Sequence, residues 1–343
     1  MTIPNTLFCT VVNDDYVRGL CVMLFSMHKH IKDFKEFPLK VYFNQQISPL
    51  SFENQKNIKR IHSNTEFVDV PIDTDSVESV FLKRKEYQST YLFFQPFAEN
   101  DYDQVVCFDA DMICLSDIIP ILENPYPGIQ GVGEFEPNPF YFCINRICRK
   151  LNGSTMLSQP GFYLSKLERI LGERLNLENS CKNKLKNFFT TWISLLNKKA
   201  PNFLLYPKSP INTGFFIIGK QTLNKNYLEA LTDEAKCFLE NHDEKMILLG
   251  DQPVINWLKH KRKIPLRLLN YNLNINFNIF SNYHSSPFEN AKIFHFTGQF
   301  KPWLEAQKKV KPEIYQLHPY KIWVKYKKEM LKATENLNCF HNL

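Results

Sequence analysis

The chain alternates between short apolar runs and longer stretches whose apolar residues recur at helical spacing. Leu7 to Val12 is apolar and ends in Asn13-Asp14-Asp15; Tyr16 to Met27 then places Val17, Leu20, Cys21, Leu24 and Phe25 on one helix face. Leu39 to Phe43 reads as a second strand, Pro49 to Ile61 as a helix, Glu66 to Val70 as a third strand, and Gln88 to Phe97 as a helix feeding the strand Val105 to Leu115. Further on, Ile211 to Ile218 reads as a strand entered through Asn212-Thr213-Gly214, and Glu229 to Asn241 as an amphipathic helix. A helix follows with Asp251 as its N-cap and Pro253 in its first turn, and Ala291 to Phe296 is a strand carrying His295. Strands alternating with helices predict an α/β fold with a mostly parallel sheet, helices on both faces and a ligand site at the carboxyl ends of the strands. Asn13-Asp14 and Asp109 to Asp111 fall at such ends. No glycine-rich phosphate loop follows the first strand, which excludes the dinucleotide fingerprint and the P-loop.

Two carboxylates, Asp109 and Asp111, interrupt the otherwise apolar Val105 to Leu115 stretch. In an extended chain, positions i and i+2 share a face, so both carboxylates point to one side. A lone D-x-D pair commonly caps a turn. Here apolar residues flank it, where an unpaired charge is costly, and the preceding Ala98 to Asp103 already supplies a loop, so a metal site is the better reading. Oxygen ligands select Mg²⁺ or Mn²⁺, and a later histidine would shift the preference to Mn²⁺. His295, at the end of an apolar strand, is by itself as compatible with a structural role.

Size and composition place few further limits. The 343 residues, 44% hydrophobic and 22% charged, suit a folded protein with a large core. No apolar run is long enough to span a bilayer, and the N-terminus lacks a signal-peptide pattern, so the expected location is cytoplasmic. Nine cysteines without C-x-x-C spacing read as reduced core thiols. Most of the net charge of +7 lies between Lys308 and Lys332, where eight lysines face two acids. A nucleic-acid binder would carry its basic stripe across the folded body, so nucleic acid is not an expected partner. The lysines interleave with Tyr315, Tyr320, Trp323 and Tyr326, which leaves two readings. One is a peripheral contact with an anionic membrane, inner face, pointing to a lipid-linked acceptor. The other is a helix that buries its aromatics and leaves its lysines in water.

Several of these segments together resemble glycosyltransferase family 8, the glycogenin-like and bacterial lipopolysaccharide hexosyltransferases. The matching residues are Asn13-Asp14-Asp15-Tyr16-Val17-Arg18-Gly19, Leu82-Lys83-Arg84, Phe108-Asp109-Ala110-Asp111, Asn212-Thr213-Gly214, Asp251-Gln252 and His295-Phe296-Thr297-Gly298 with Lys301-Pro302-Trp303. The resemblance implies a GT-A, Rossmann-like mixed sheet over 1–306, with an elaborated region about 135–207 and a basic aromatic tail over 307–343. It implies a retaining transferase moving a hexose from a UDP-sugar to a glycan or glycolipid, with Asp109, Asp111 and His295 holding Mn²⁺. By the same resemblance, Thr10, Val11, Asn13 and Tyr16 surround the uridine, and Arg84, Asn212, Asp251 and Gln252 face the donor sugar. Ala110 and Thr213 line the nucleotide-sugar site, Gly298 and Lys301 contact the phosphates, and Asp251 and Gln252 are the catalytic candidates.

One position departs from the family pattern. Phe93 stands where a basic residue is usual before the metal strand, which puts donor choice and rate in question and motivates a second reading, a catalytically silent sugar-nucleotide or glycan-binding protein. A third, a haloacid-dehalogenase-type phosphatase, also uses D-x-D, but places it near the start of its domain.

Overall fold

A computed structural model of the chain describes residues 3–71, 90–133, 211–241, 251–276, 291–297, 301–303 and 318–334. A seven-stranded sheet forms the centre. Its strands are β1 (Thr6–Val11), β2 (Leu39–Phe43), β3 (Thr65–Asp69), β4 (Gln104–Phe108), β6 (Ile129–Gly133), β7 (Ile211–Gly219) and β8 (Leu266–Leu269), in the order β3-β2-β1-β4-β7-β6-β8. All neighbours are parallel except those of β7, which runs antiparallel to both β4 and β6. A small second sheet joins β5 (Met112–Cys114), β10 (Ile293–His295) and β9 (Ile275–Asn276) in the order β5-β10-β9.

The apolar runs are continuous because both sheet faces are covered. Phe8, Val106, Phe108, Phe215 and Ile217 enter one core. Their alternating neighbours Leu7, Cys9, Val105, Cys107, Phe216 and Ile218 enter the other. The first core lies under α1 (Val17–His30) and α2 (Phe52–Ile61); α3 (Lys225–Asn241) and α4 (Asp251–Lys261) contribute Leu231, Val254, Ile255 and Leu258 to the second. Among the described residues, Cys9, Cys21, Cys107 and Cys114 are buried and outside any disulfide.

Several details differ from the sequence reading. Val105 to Leu115 is two strands rather than one, because β5 leaves the large sheet to pair with β10, and Asp109 to Asp111 make the turn between. Thr90 to Ala98 winds as 3-10 turns rather than an α-helix; Pro96 lies inside it and cannot donate the amide an α-helix requires. Phe93 packs against the second core, so at this position an apolar contact replaces a cation. Helix α4 begins at Asp251 itself, inside the helix rather than ahead of it.

In the C-terminal segment, the described residues form α5 (His318–Ala333), whose aromatics are inside. Tyr320, Trp323, Tyr326 and Met330 are buried in the first core, while Lys321, Lys325, Lys328 and Lys332 are exposed. Tyr320 meets Phe296 edge-on at 5.2 Å, Trp323 lies 6.1 Å from Trp303, and His30 Nε2 shares a 2.7 Å hydrogen bond with the Tyr326 hydroxyl. The membrane reading wanted these rings at the surface and gains no support from this helix: burial of large apolar area decides their direction. No helix among the described residues is long and apolar enough to cross a membrane. The elaborated region lies outside the described residues.

Candidate metal and ligand site

The turn after β4 and the end of β10 meet where the two sheets adjoin. The amide of Phe296 donates to the Asp111 carbonyl at 2.9 Å, locking the far end of the chain onto the D-x-D turn. His295 Nε2 lies 3.3 Å from Asp109 Oδ2 and 3.1 Å from Asp111 Oδ1. The three ligand atoms lie within 4.8 Å of one another, close enough to share one ion. Lys301 donates to the other Asp111 oxygen and, at 2.7 Å, to the Phe296 carbonyl. An ammonium has three donors, and two of them are used among the described residues.

Burial is nearly complete at Asp111 and His295, while the Asp109 side chain keeps 27% of its surface exposed. Burial would raise the Asp111 carboxyl, but Lys301 and then His295 outweigh it and hold it well below the carboxylate range. Burial raises Asp109, against the opposing bond from His295. For His295 burial acts downward, yet the carboxylates of Asp111 and Asp109 push it up to about 9. Two carboxylates and an imidazole converging in a buried site are the hard, mixed O/N donor set that suits Mn²⁺ or Mg²⁺.

Glycine is required at two positions in this arrangement. A Cβ on Gly214 would lie 2.4 Å from His295 Cε1 and 2.5 Å from Nδ1, so the imidazole rests against bare backbone. The Gly214 carbonyl also accepts the Asp109 amide at 2.8 Å. A Cβ on Gly19 would meet Trp303 at 2.5 Å and the Ala110 carbonyl at 2.6 Å, so α1 can approach the metal turn only as glycine.

Around this centre, Thr10 Oγ1, Asn13 Oδ1, Thr297 Oγ1 and Gln252 Nε2 are buried and have no hydrogen-bond partner among the described residues. Gln252 is held by its other end, Oε1 accepting from the Thr213 amide at 3.3 Å. Asn256, one turn on, brackets both backbone groups of Ile211 at 2.8 and 2.9 Å and so fixes α4 against β7. Tyr16 is 37% exposed, edge-on to Trp303 at 5.7 Å, with the Lys301 ammonium 5.6 Å from its ring centre. Val11 ends β1, and Ala110 is buried within the turn. Arg84, Gly298 and the Asp251 side chain lie outside the described residues. The sequence reading missed Asn256 and also Asn274, whose Oδ1 lies 3.2 Å from His295 Nδ1. Both are single asparagines without local motif, and only contacts across the fold give them a role.

The family model described as "Glycosyl transferase family 8" matches residues 8–307. Among solved structures, the galactosyltransferase LgtC in complex with donor and acceptor sugar analogs is similar in fold, with TM-score 0.55 at 12% identity, covering 95% of this chain and 99% of that one. The bifunctional glycosyltransferase WbbM, apo form, has TM-score 0.53 at 16% identity, over 97% of this chain and 52% of its own. No curated protein matches at the sequence level.

Proposed function

The chain belongs to glycosyltransferase family 8, and we propose that it moves a hexose, glucose or galactose, from a UDP-sugar to a glycan or glycolipid acceptor, retaining the anomeric configuration and requiring Mn²⁺, with Mg²⁺ as a substitute. The observation that carries this is the convergence of Asp109, Asp111 and His295 within 4.8 Å. A dication held there supplies Lewis-acid stabilisation to the diphosphate. Lys301, paired with Asp111 at this centre, contributes fixed positive charge where the departing UDP accumulates negative charge.

In this reading Thr10, Val11, Asn13 and Tyr16 receive the uridine, and the unpartnered atoms of Thr10 and Asn13 gain partners from it. A buried polar atom without one costs about 1–3 kcal/mol, so ligand binding recovers what the free site loses. Gln252, tethered through Oε1, offers its Nε2 to the donor sugar; Asn212, Thr213, Asp251 and Arg84 complete that side, and Gly298 admits the phosphates. Front-face displacement breaks the bond from anomeric carbon to phosphate oxygen, forms the bond from that carbon to the acceptor oxygen, and passes the acceptor's proton to the leaving diphosphate. Gln252 is an amide and serves as a positioning donor rather than a nucleophile.

Incubation with UDP-glucose or UDP-galactose and Mn²⁺ tests the proposal by following UDP release. Slow release is expected with water as acceptor, abolished by chelation and by Asp111→Ala. Release unaffected by chelation, or donor binding without turnover on any acceptor, defeats it.

A further inference from the structure

Behind the His295 ring a chain of side-chain amides runs back to a backbone donor. The Gly214 amide donates to Asn212 Oδ1 at 3.0 Å; Asn274 Nδ2 donates to the same oxygen at 2.6 Å; and His295 Nδ1 lies 3.2 Å from Asn274 Oδ1. A backbone N–H can only donate, which settles every later link. The Asn212 atom facing Gly214 must be the oxygen, so the Asn274 atom facing that oxygen must be the NH₂. The remaining Asn274 atom is therefore an oxygen, and it requires a proton on His295 Nδ1. Nε2 is left as the nitrogen that faces Asp109 and Asp111. Asn274 is 1% exposed and His295 4%, so water does not compete for these bonds.

We infer that Asn274 is a positioning residue of the metal site, and that Asn212 has two roles. With its oxygen occupied twice, Asn212 holds the relay's polarity, and its Nδ2, which has no hydrogen-bond partner among the described residues, is the group left to donate to the sugar. The inference rests on the metal reading above. An outer partner that fixes the tautomer and orientation of a ligating histidine commonly changes metal affinity by 10–100-fold when removed.

The test uses the full chain and Mn²⁺ alone, with free ion counted by its paramagnetic resonance. Asn274→Leu is expected to bind Mn²⁺ roughly 10–100-fold more weakly, and Asn212→Leu likewise. Asn212→Asp keeps both acceptor bonds and is expected to hold Mn²⁺ at least as well as wild type within about threefold, while losing donor-sugar use because it has no N–H. Wild-type affinity in a folded Asn274→Leu, or loss of Mn²⁺ in a folded Asn212→Asp, overturns the relay. Should Asn274→Leu not fold, imidazole nitrogen shifts of the histidine-labelled wild type decide, recorded above about pH 9 where the ring is neutral: a protonated Nδ1 at His295 supports the relay and a bare one overturns it. A wild type that binds no Mn²⁺ sinks the metal reading, and the imidazole shifts of the metal-free protein above about pH 9 still judge the relay.

Discussion

At position 214 a hydrogen stands where any other residue would carry a Cβ, and the imidazole of His295 fills the space. Gly214→Ala forces that ring to move. Overpacking of this kind typically costs 1–3 kcal/mol, and denaturant unfolding should show a loss of about that size. Mn²⁺ titration should show weakened binding in the same variant, since the displaced ring is a proposed ligand. Unchanged Mn²⁺ affinity would place the imidazole outside the metal's coordination. The Asn212-Thr213-Gly214 segment was legible as the entry to a strand, but that the protein's own histidine packs against its glycine was not. Gln252 was similar: no local pattern gave the glutamine a partner, and the fold supplies one in the Thr213 amide.

Among the elements, α5 shows how a composition can mislead about direction. Its lysines and aromatics allow both a membrane-facing and a core-facing helix, and contact with α1, Phe296 and Trp303 buries the rings in the core. Because Trp303 follows Lys301 by two residues, α5 buttresses the segment that carries the site's ammonium. Trp323→Ala should destabilise by about 3–5 kcal/mol and reduce UDP release, with Trp323→Phe much milder, both measured by unfolding and turnover. A second element-level effect links α1 to the end of α2. His62 Nδ1 and His28 Nε2 lie 3.1 Å apart, with His62 Nε2 at 2.9 Å from the Phe37 carbonyl. Burial and then the neighbouring His62 lower His28 to about 4, and burial lowers His62. The unfolded histidines take up protons near pH 6.5, before the folded ones, so stability is complete above that pH and falls as pH drops toward about 4. His28→Gln should flatten this part of the profile by on the order of 1 kcal/mol, the half-exposed ring screening the full shift, as read from urea midpoints between pH 7 and 4.

For the whole molecule, the site is a junction between the two sheets and between early, middle and late parts of the chain, so ligands that bridge them should stabilise the fold. UDP with Mn²⁺ at a hundred times its dissociation constant adds about 2.7 kcal/mol, visible as a raised melting temperature that chelation reverses; an unmoved melting point would speak against a bridging site. The sequence by itself determined the alternation of strands and helices, the double burial of the sheet, and the D-x-D and His295 to Trp303 motifs by which the family was recognised. Those features are legible because local periodicity records which side of an element is buried. Tertiary structure decided the turn that splits Val105 to Leu115, the inward face of α5, the meeting of His295 with Asp109 and Asp111, and the roles of Asn274 and Asn256. These depend on contacts between residues far apart in the chain, and a lone asparagine or a histidine in an apolar strand has the same local pattern whether it serves packing or chemistry.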